Sequence, residues 1–283
     1  MQSGTQQVNG VDIAYDLRGS GPGLLLLHGF PQTRAMWGPI ADALATRFTV
    51  VTPDLRGYGA SGKPQEVADY SFRQMALDQV ELMAHLGFAR FHLVGHDRGG
   101  RTAHRMALDH EVAVQSLTMM DIVPTHLLLR DLNRHVAKAY YHWFFLAQPS
   151  PLPETMIAAD PEAYFMSCLQ GWGAADPDGF DASQMAAYRA AWAEPEVVRG
   201  MCNDYRAALE VDFDLDAADL DRQVHCPTLV LYGADGAMAQ AYDVAATWQA
   251  RCSDLRAETV PGGHFFPDTH PEETLAALNR FLP

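Results

Sequence analysis

The stretch Val94–Arg101, VGHDRGGR, is the part of the sequence that decides the fold. It has the outline Gly-x-nucleophile-x-Gly, from Gly95 to Gly99, between an apolar segment typical of a buried strand and a segment with helical spacing. In that context the outline predicts a nucleophile elbow, a tight turn that presents one side chain at the end of a strand. Serine commonly occupies the centre of such a turn. Here the central residue is Asp97.

Segments typical of strands and helices alternate on both sides of this turn. The predicted strands are Val11–Leu17, Gly23–Leu27, Phe48–Thr52, Phe91–Gly95, Ser116–Met120, Thr228–Tyr232 and Leu255–Val260. The predicted helices lie around Met36–Ala45, Phe72–Leu86, Thr102–Leu108 and Tyr242–Ala250, and from Glu272 onward. This alternation predicts an α/β fold with a mostly parallel sheet that helices cover on both faces.

The alternation stops between about Val123 and Asp212. That region is rich in aromatic residues and prolines and has no segment typical of a strand. We therefore expect a helical cap, residues 124–212, inserted between two strands of a core domain. Residues 1–123 and 213–283 would form that core.

Two further side chains follow the elbow in an order that suits nucleophilic catalysis. His264 comes just after the last predicted strand, and Asp121 ends the strand after the elbow helix. The order nucleophile, acid, histidine is the one found with this kind of elbow. Asp235 also follows a strand and is the alternative acid, but it stands one residue early for the Gly-x-x-Asp pattern, so we favour Asp121. A lone Asp97 could simply cap the helix, yet a cap would not explain His264 and Asp121.

An aspartate nucleophile points to a saturated carbon electrophile. Attack by serine on such a carbon would form an ether, which activated water cannot break, whereas attack by a carboxylate forms a hydrolysable ester. The electrophile would be a carbon–halogen bond or an epoxide. His264, oriented by Asp121, would activate the water. The backbone N–H groups of Phe30 and Arg98 would hold the oxyanion that forms on Asp97.

Motifs along nearly the whole chain resemble the fluoroacetate dehalogenase (haloacetate dehalogenase) family of the α/β-hydrolase fold. The motifs are HGFPQT (28–33), DLRGYGASGKP (54–64), GHDRGGR (95–101), MDIVPT (120–125), YYHWFFLAQP (140–149) and CNDYRA (202–207). The resemblance implies an α/β-hydrolase fold, hydrolysis of small 2-haloacids without a cofactor, and a homodimer. Asp235 departs from the family pattern, where a small neutral residue is expected.

The resemblance also assigns binding roles. It implies that His142, Trp143 and Tyr205 donate hydrogen bonds to the leaving halide, and that Trp172 helps to wall the pocket. Each of these is a side chain that can present an N–H or O–H to an anion, although Trp143 alone would more simply be core packing.

Two arginines suit a carboxylate substrate. Arg98 and Arg101 are three residues apart at the start of the elbow helix and therefore share a face. Charge-assisted hydrogen bonds from both could clamp a small haloacid beside Asp97. On another helix, two solvated arginines would be the simpler interpretation.

Two alternatives stay open at this point. An epoxide hydrolase would use the same aspartate with two cap tyrosines, for which Tyr141, Tyr164, Tyr188 and Tyr205 are candidates, but a neutral epoxide does not require the arginines. A catalytically inactive hydrolase that serves as a small-molecule receptor is the third reading, because fold alone does not define function.

The composition narrows the class of protein. The formal net charge of −15 disfavours nucleic acid and anionic membranes as partners. We expect no signal peptide, and the four scattered cysteines suit reduced thiols in the cytoplasm. Residues 57–63 match a glycine-rich phosphate loop only in part, since Pro64 replaces the required Ser or Thr, and we predict no cofactor. No histidine pair has zinc-site spacing with a supporting glutamate, so we also predict no metal.

Overall fold

A computed structural model describes residues 1–173 and 175–283, apart from the side chain of His135. Its centre is an eight-stranded sheet in the order β1-β2-β4-β3-β5-β6-β7-β8. The strands are β1 Gln2–Val8, β2 Val11–Arg18, β3 Gly23–Leu27, β4 Thr49–Pro53, β5 Phe91–His96, β6 Val114–Met120, β7 Thr228–Gly233 and β8 Leu255–Val260. β2 pairs antiparallel with β1 and β4, and the strands from β4 to β8 pair in parallel. The predicted parallel α/β sheet is confirmed.

The helices outside the long insertion flank this sheet. They are α1 Gly38–Leu44, α2 Phe72–His85, α3 Arg98–Asp109, α12 Ala237–Ala241, α13 Val244–Gln249, α14 Phe266–Thr269 and α15 Pro271–Phe281. α13 starts later than predicted because Asp243 caps it, accepting a hydrogen bond from the N–H of Ala246 at 3.0 Å. The predicted helix at 36–45 is a 3₁₀ turn, Arg34–Trp37, followed by α1.

Between β6 and β7 the described residues contain helices and turns without a strand. The helices are α4 Thr125–Arg130, α5 Arg134–Ala139, α6 Tyr141–Leu146, α7 Leu152–Ala158, α8 Pro161–Gln170, α9 Ala182–Trp192, α10 Pro195–Ala207 and α11 Phe213–Ala218. A π-helical segment, Ala208–Asp212, joins α10 to α11 in one continuous helical run.

The first strand was not predicted from the sequence. β1 is polar and mostly exposed, so it lacks the apolar alternation that marks a strand. Its turn does carry a sequence feature that would have revealed it. Asn9 and Gly10 both have positive φ, and Asn-Gly is the favoured two-residue turn of a β-hairpin. β1 and β2 form that hairpin at the edge of the sheet.

The topology places one crevice at the carboxyl ends of β3 and β5. The chain runs from β3 outward to β4 and then returns to β5 on the other side of β3. Ligands of open α/β sheets bind at such a reversal. The centre is held by fully buried strands: each leucine from Leu24 to Leu27 in β3 is inaccessible to solvent. This rigid core fixes the loops that follow β3 and β5.

None of the described helices is both long and apolar enough to span a bilayer.

Candidate active site

Asp97 lies at the tip of the elbow between β5 and α3. Its φ is 48°, a left-handed value that an L-residue adopts only when the surrounding structure imposes it. A Cβ at Gly99 would lie only 2.4 Å from the carbonyl oxygen of His28, so the close approach of α3 to the chain after β3 requires glycine there. The side chain of Asp97 makes no capping hydrogen bond to α3. The elbow therefore presents the carboxylate away from its own helix.

The Asp97 carboxylate is buried and ionised. The N–H of Phe30 donates to its Oδ2 at 2.9 Å. Burial would raise the pKa of Asp97, but the positive charges of His264 and Arg98, with the Phe30 hydrogen bond, lower it below its usual value. An anion that accepts few hydrogen bonds in a dry site is a good nucleophile.

His264 and Asp121 lie together beside this carboxylate. His264 Nδ1 is 2.6 Å from Asp121 Oδ2, and Asp121 Oδ1 accepts the N–H of Gly233 at 3.1 Å. The other ring nitrogen, Nε2, is buried and has no hydrogen-bond partner in the described protein. Asp235 is exposed in the turn after β7. The structure thus brings Asp121 to His264 and leaves Asp235 at the surface.

The environment of His264 makes its imidazole a stronger base. Burial lowers the pKa of the imidazole, but the hydrogen bond and charge of Asp121, together with the charge of Asp97, outweigh it and raise the pKa above the usual value. The proton held by Nδ1 faces Asp121, so Nε2 is the atom that exchanges a proton with the site.

His96, which the sequence analysis did not consider, supports the His264 loop. Its Nε2 lies 2.8 Å from the carbonyl oxygen of His264, and the two rings are 4.6 Å apart. Burial lowers the pKa of His96 to about 4, so it is neutral and donates its Nε2 proton to that carbonyl. Its position directly before the nucleophile is the feature that would have suggested a supporting role.

Arg98 is fully buried and ion-paired with a residue of α10. Its Nε donates to Asp204 Oδ2 at 2.9 Å, and its Nη2 donates to Asp204 Oδ1 and to the Asp204 carbonyl. Tyr58 donates a further hydrogen bond to Asp204 at 2.7 Å. Only Nη1 of Arg98 is buried without a partner among the described residues. Asp204 was missed, although it stands directly before Tyr205 in the CNDYRA stretch.

Arg101 is held differently. Its Nη1 donates to the carbonyl of Val123 at 2.9 Å and to Thr125 Oγ1 at 3.0 Å, and its guanidinium lies 4.8 Å from the Trp143 ring centroid. In the part of the chain that the structure describes, no carboxylate pairs with it. Burial and the charge of Arg98 lower the pKa of Arg101, but an arginine stays charged in a protein. The two predicted arginines are therefore unequal: one is neutralised by Asp204, and one is an unpaired cation.

Three polar aromatic side chains cluster around Phe30. The His142 ring lies 6.0 Å from Phe30 and 5.7 Å from Tyr205, and Trp143 lies 5.3 Å from Tyr205. Trp143 Nε1 and the Tyr205 hydroxyl are buried without a hydrogen-bond partner in the described protein, whereas the His142 imidazole is hydrogen-bonded to the Ala139 backbone. Because an unsatisfied buried polar group costs about 1–3 kcal/mol, two such groups side by side indicate a binding site.

Trp172 links this cluster to His264. Its ring stacks on His142 at 4.0 Å and lies 4.9 Å from the His264 ring. Burial lowers the pKa of His142 to about 3, so this imidazole is neutral and adds no positive charge. The wall of the site is therefore aromatic and uncharged on this side.

The four tyrosines considered for epoxide chemistry lie in different places. Tyr141 is exposed, and the hydroxyl of Tyr188 donates to Asp268 at 2.6 Å. The Tyr164 ring packs against Phe145 and Phe165. Of these four, the structure brings Tyr205 to Phe30, at 5.1 Å.

Comparisons with known proteins agree with this geometry. Residues 22–271 match the family model for the α/β-hydrolase fold. The chain is 52% identical to a fluoroacetate dehalogenase from Burkholderia sp, over 97% of this chain and 91% of that protein. The chain belongs to the fluoroacetate dehalogenase family of α/β hydrolases. A soluble epoxide hydrolase from Corynebacterium sp. (strain C12) is 31% identical over 98% of this chain and 96% of its own length.

A solved structure shows how closely the fold is shared. ALR0039 from Nostoc sp PCC 7120, provisionally described as an α/β hydrolase, superposes with a TM-score of 0.97 at 46% identity. The match covers 99% of this chain and 97% of that one. The predicted family and fold class are confirmed.

The pairing of His264 with Asp121 can be tested without measuring turnover. In Asp121→Asn the pKa of His264 should fall, because the hydrogen bond to a charge that stabilises the imidazolium is lost. The neutral ring would then persist to lower pH. An NMR titration of the imidazole, with the His264 resonance assigned by its loss in His264→Gln, measures this change.

The matched control is Asp235→Asn, which should leave the pKa of His264 unchanged. If the pKa falls in the Asp235 variant and not in the Asp121 variant, Asp235 is the acid.

Proposed function

We propose that this protein hydrolyses small 2-haloacids of acetate size to 2-hydroxyacids and halide. One observation carries the proposal: an ionised, buried Asp97 lies on the same helix start as Arg101, a buried cation without a carboxylate partner in the described chain. An anionic substrate would complete that charge pair. A saturated carbon attached to its carboxylate would then lie next to the nucleophile.

The first step is displacement of the halide. An Asp97 carboxylate oxygen attacks C2 of the substrate, the carbon–halogen bond breaks, and its electron pair leaves with the halide. The product is an ester between Asp97 and the 2-position of the acid. Positioning of the two reacting atoms supplies much of the rate, because binding converts a bimolecular reaction into an intramolecular one.

The second step hydrolyses that ester. His264 Nε2 takes a proton from water, and the resulting hydroxide attacks the carbonyl carbon of Asp97. The N–H groups of Phe30 and Arg98 hold the oxyanion. Collapse of the tetrahedral intermediate releases the 2-hydroxyacid, which takes the proton back from His264, and leaves Asp97 as a carboxylic acid. That acid then loses its proton to the solvent, which restores the Asp97 carboxylate.

The substrate carboxylate and the leaving halide use separate donors. Arg101 holds the carboxylate, with Nη1 of Arg98 as a second donor. His142, Trp143 and Tyr205 donate to the halide as its negative charge grows. The unpartnered N–H of Trp143 and O–H of Tyr205 support this role, since each would gain a hydrogen bond when an anion forms between them.

The inserted segment serves as the cap of this site. We place its boundaries at 124–212, with residues 1–123 and 213–283 as the core. Asp204 and Tyr205 of α10 reach Arg98 and Phe30 of the core, so the cap supplies both the partner of an arginine and part of the halide site.

Epoxide hydrolysis is the second candidate, because a relative with that name aligns over almost the whole chain. The decisive assay incubates the purified protein with fluoroacetate, chloroacetate and a simple epoxide, and measures halide, glycolate and diol. Fluoride and glycolate would establish a defluorinating enzyme. Release of chloride alone would support the same displacement mechanism, with a halide site that binds fluoride too weakly. Diol alone would establish an epoxide hydrolase. The absence of any product would favour a small-molecule receptor.

The ester intermediate should accumulate in His264→Ala. Without the base, attack of Asp97 on chloroacetate still proceeds, but water does not cleave the ester. Intact-protein mass spectrometry should show the addition of one carboxymethyl group, located at Asp97 by peptide mapping. The control, Asp97→Asn/His264→Ala, should remain unmodified. An unmodified His264→Ala protein would contradict the assigned roles.

Loss of the unpaired cation should weaken substrate binding. A hydrogen bond to a charged group contributes about 1.5–3 kcal/mol, so Arg101→Ala should raise KM for chloroacetate roughly 10- to 100-fold. The control is Arg90→Ala, which removes an exposed charge just before β5, at the opposite end of that strand from the elbow, and should leave KM unchanged. An unchanged KM in Arg101→Ala would exclude the carboxylate clamp.

The proposal also includes the oligomeric state of the protein and its location in the cell. The protein works in the cytoplasm, which its four free cysteines suit, and it forms a homodimer. Leu152 and Met156 support the dimer: they lie one turn apart on α7 and are 50% and 58% exposed, an apolar pair that a partner would cover.

Sedimentation velocity tests the dimer. The wild type should sediment as a dimer and Leu152→Glu/Met156→Glu as a monomer, because two buried charges would oppose association. Leu220→Glu, at an exposed leucine elsewhere, should stay dimeric. A monomeric wild type would refute the dimer.

A further inference from the structure

A cavity of about 330 Å³ lies between the cap and the core, outside the site described above. It is lined by Val136, Ala139 and Tyr140 on the cap side and by Ala237, Met238, Gln240 and Ala241 of α12 on the core side. Apart from the Tyr140 hydroxyl and the Gln240 amide, its side chains are apolar. None of these lining side chains is charged, so a cavity of this size suits a small uncharged group.

Tyr140 forms the wall between this cavity and the halide donors. Its side chain is 4% exposed. Its ring lies 5.5 Å from His142 and 6.3 Å from Trp172, neither of which lines the cavity. Those two rings in turn contact Phe30 and His264. A single aromatic side chain thus separates the cavity from the rings that surround the nucleophile.

The electrostatics of Tyr140 agree with that position. Burial raises the pKa of its phenol well above the usual value; the charges of Asp121 and Asp97 raise it further, and that of Arg101 lowers it. The phenol therefore lies within reach of the fields of the acid, the nucleophile and the cation of the site.

The core side of the cavity also adjoins the catalytic residues. α12 starts directly after Gly236, and a Cβ at Gly236 would lie 3.5 Å from Asp121 Oδ1. Tyr140 therefore lies between the cavity and the His142–Trp172 pair. The start of α12 lies between the cavity and Asp121.

We propose that Tyr140 determines substrate size, and that the cavity behind it accommodates the alkyl substituent at C2 of longer 2-haloacids once that side chain is shortened. The inference rests on the proposed function. With the substrate carboxylate on Arg101 and C2 at Asp97, the substituent needs space that is apolar and adjacent. The cavity provides both, and Tyr140 confines the natural site to acetate-sized substrates.

The test compares kcat/KM for 2-bromobutanoate with that for bromoacetate. Tyr140→Ala should raise this ratio by about tenfold or more over the wild type, since a pocket discriminates roughly 10- to 200-fold for each methylene that it excludes. Tyr140→Leu, a milder change, should raise it less. The matched control is Tyr141→Ala: this neighbouring tyrosine is 45% exposed and does not line the cavity, so the ratio should not change.

A second substitution links the gain to this cavity. Ala237→Phe, added to Tyr140→Ala, fills the space from the opposite wall and should return the ratio to the wild-type value. A ratio that stays at the wild-type value in both Tyr140→Ala and Tyr140→Leu would overturn the proposal, as would a gain that survives Ala237→Phe.

Failure of the proposed function gives a different result. Wild-type protein that releases no bromide from bromoacetate would refute haloacid hydrolysis, and the inference with it. If the wild type hydrolyses bromoacetate but the ratio of the two kcat/KM values is unchanged in the Tyr140 variants, the inference is refuted and the proposed function stands.

Discussion

The buried ion pair between Arg98 and Asp204 is the interaction on which the site depends. Arg98 begins the elbow helix directly after the nucleophile, and Asp204 precedes Tyr205 on α10. The pair therefore ties the core to the cap at the point where the halide donors meet the nucleophile. A buried pair of this kind adds little net stability, but removing one partner would leave a costly unpaired charge. Its main effect is to hold Asp97 and Tyr205 in a fixed position relative to each other.

The pair also explains why two arginines are needed. Displacement brings an anionic substrate to an anionic nucleophile, and the repulsion between them must be offset inside a site that excludes water. If Arg98 alone were present, Asp204 would already neutralise it. Arg101 lacks such a partner within the described chain, so it leaves a net positive charge next to the nucleophile, as the proposed carboxylate clamp requires.

Much of this arrangement was predictable from the sequence, and the exceptions have physical reasons. The elbow, His264 and the parallel sheet follow from local patterns: glycines that permit a tight turn, apolar runs, and the order of residues along the chain. Asp204 was missed because its role depends on a contact across 106 residues, which no local pattern encodes. β1 was missed because a polar edge strand lacks apolar alternation. The position of Tyr140 between the cavity and the active site was missed because it exists only once the cap has folded onto the core.

The choice between halide and epoxide follows from which groups lack partners. An epoxide needs donors on one oxygen and no cation beside the nucleophile. Here Trp143 Nε1 and the Tyr205 hydroxyl lack an acceptor among the described residues, and Arg101, whose guanidinium lies 4.8 Å from the Trp143 ring centroid, lacks a carboxylate. Each of these groups without a partner would destabilise the folded protein unless an anion bound to it. A substrate that carries a carboxylate at one end and releases a halide at the other would satisfy both.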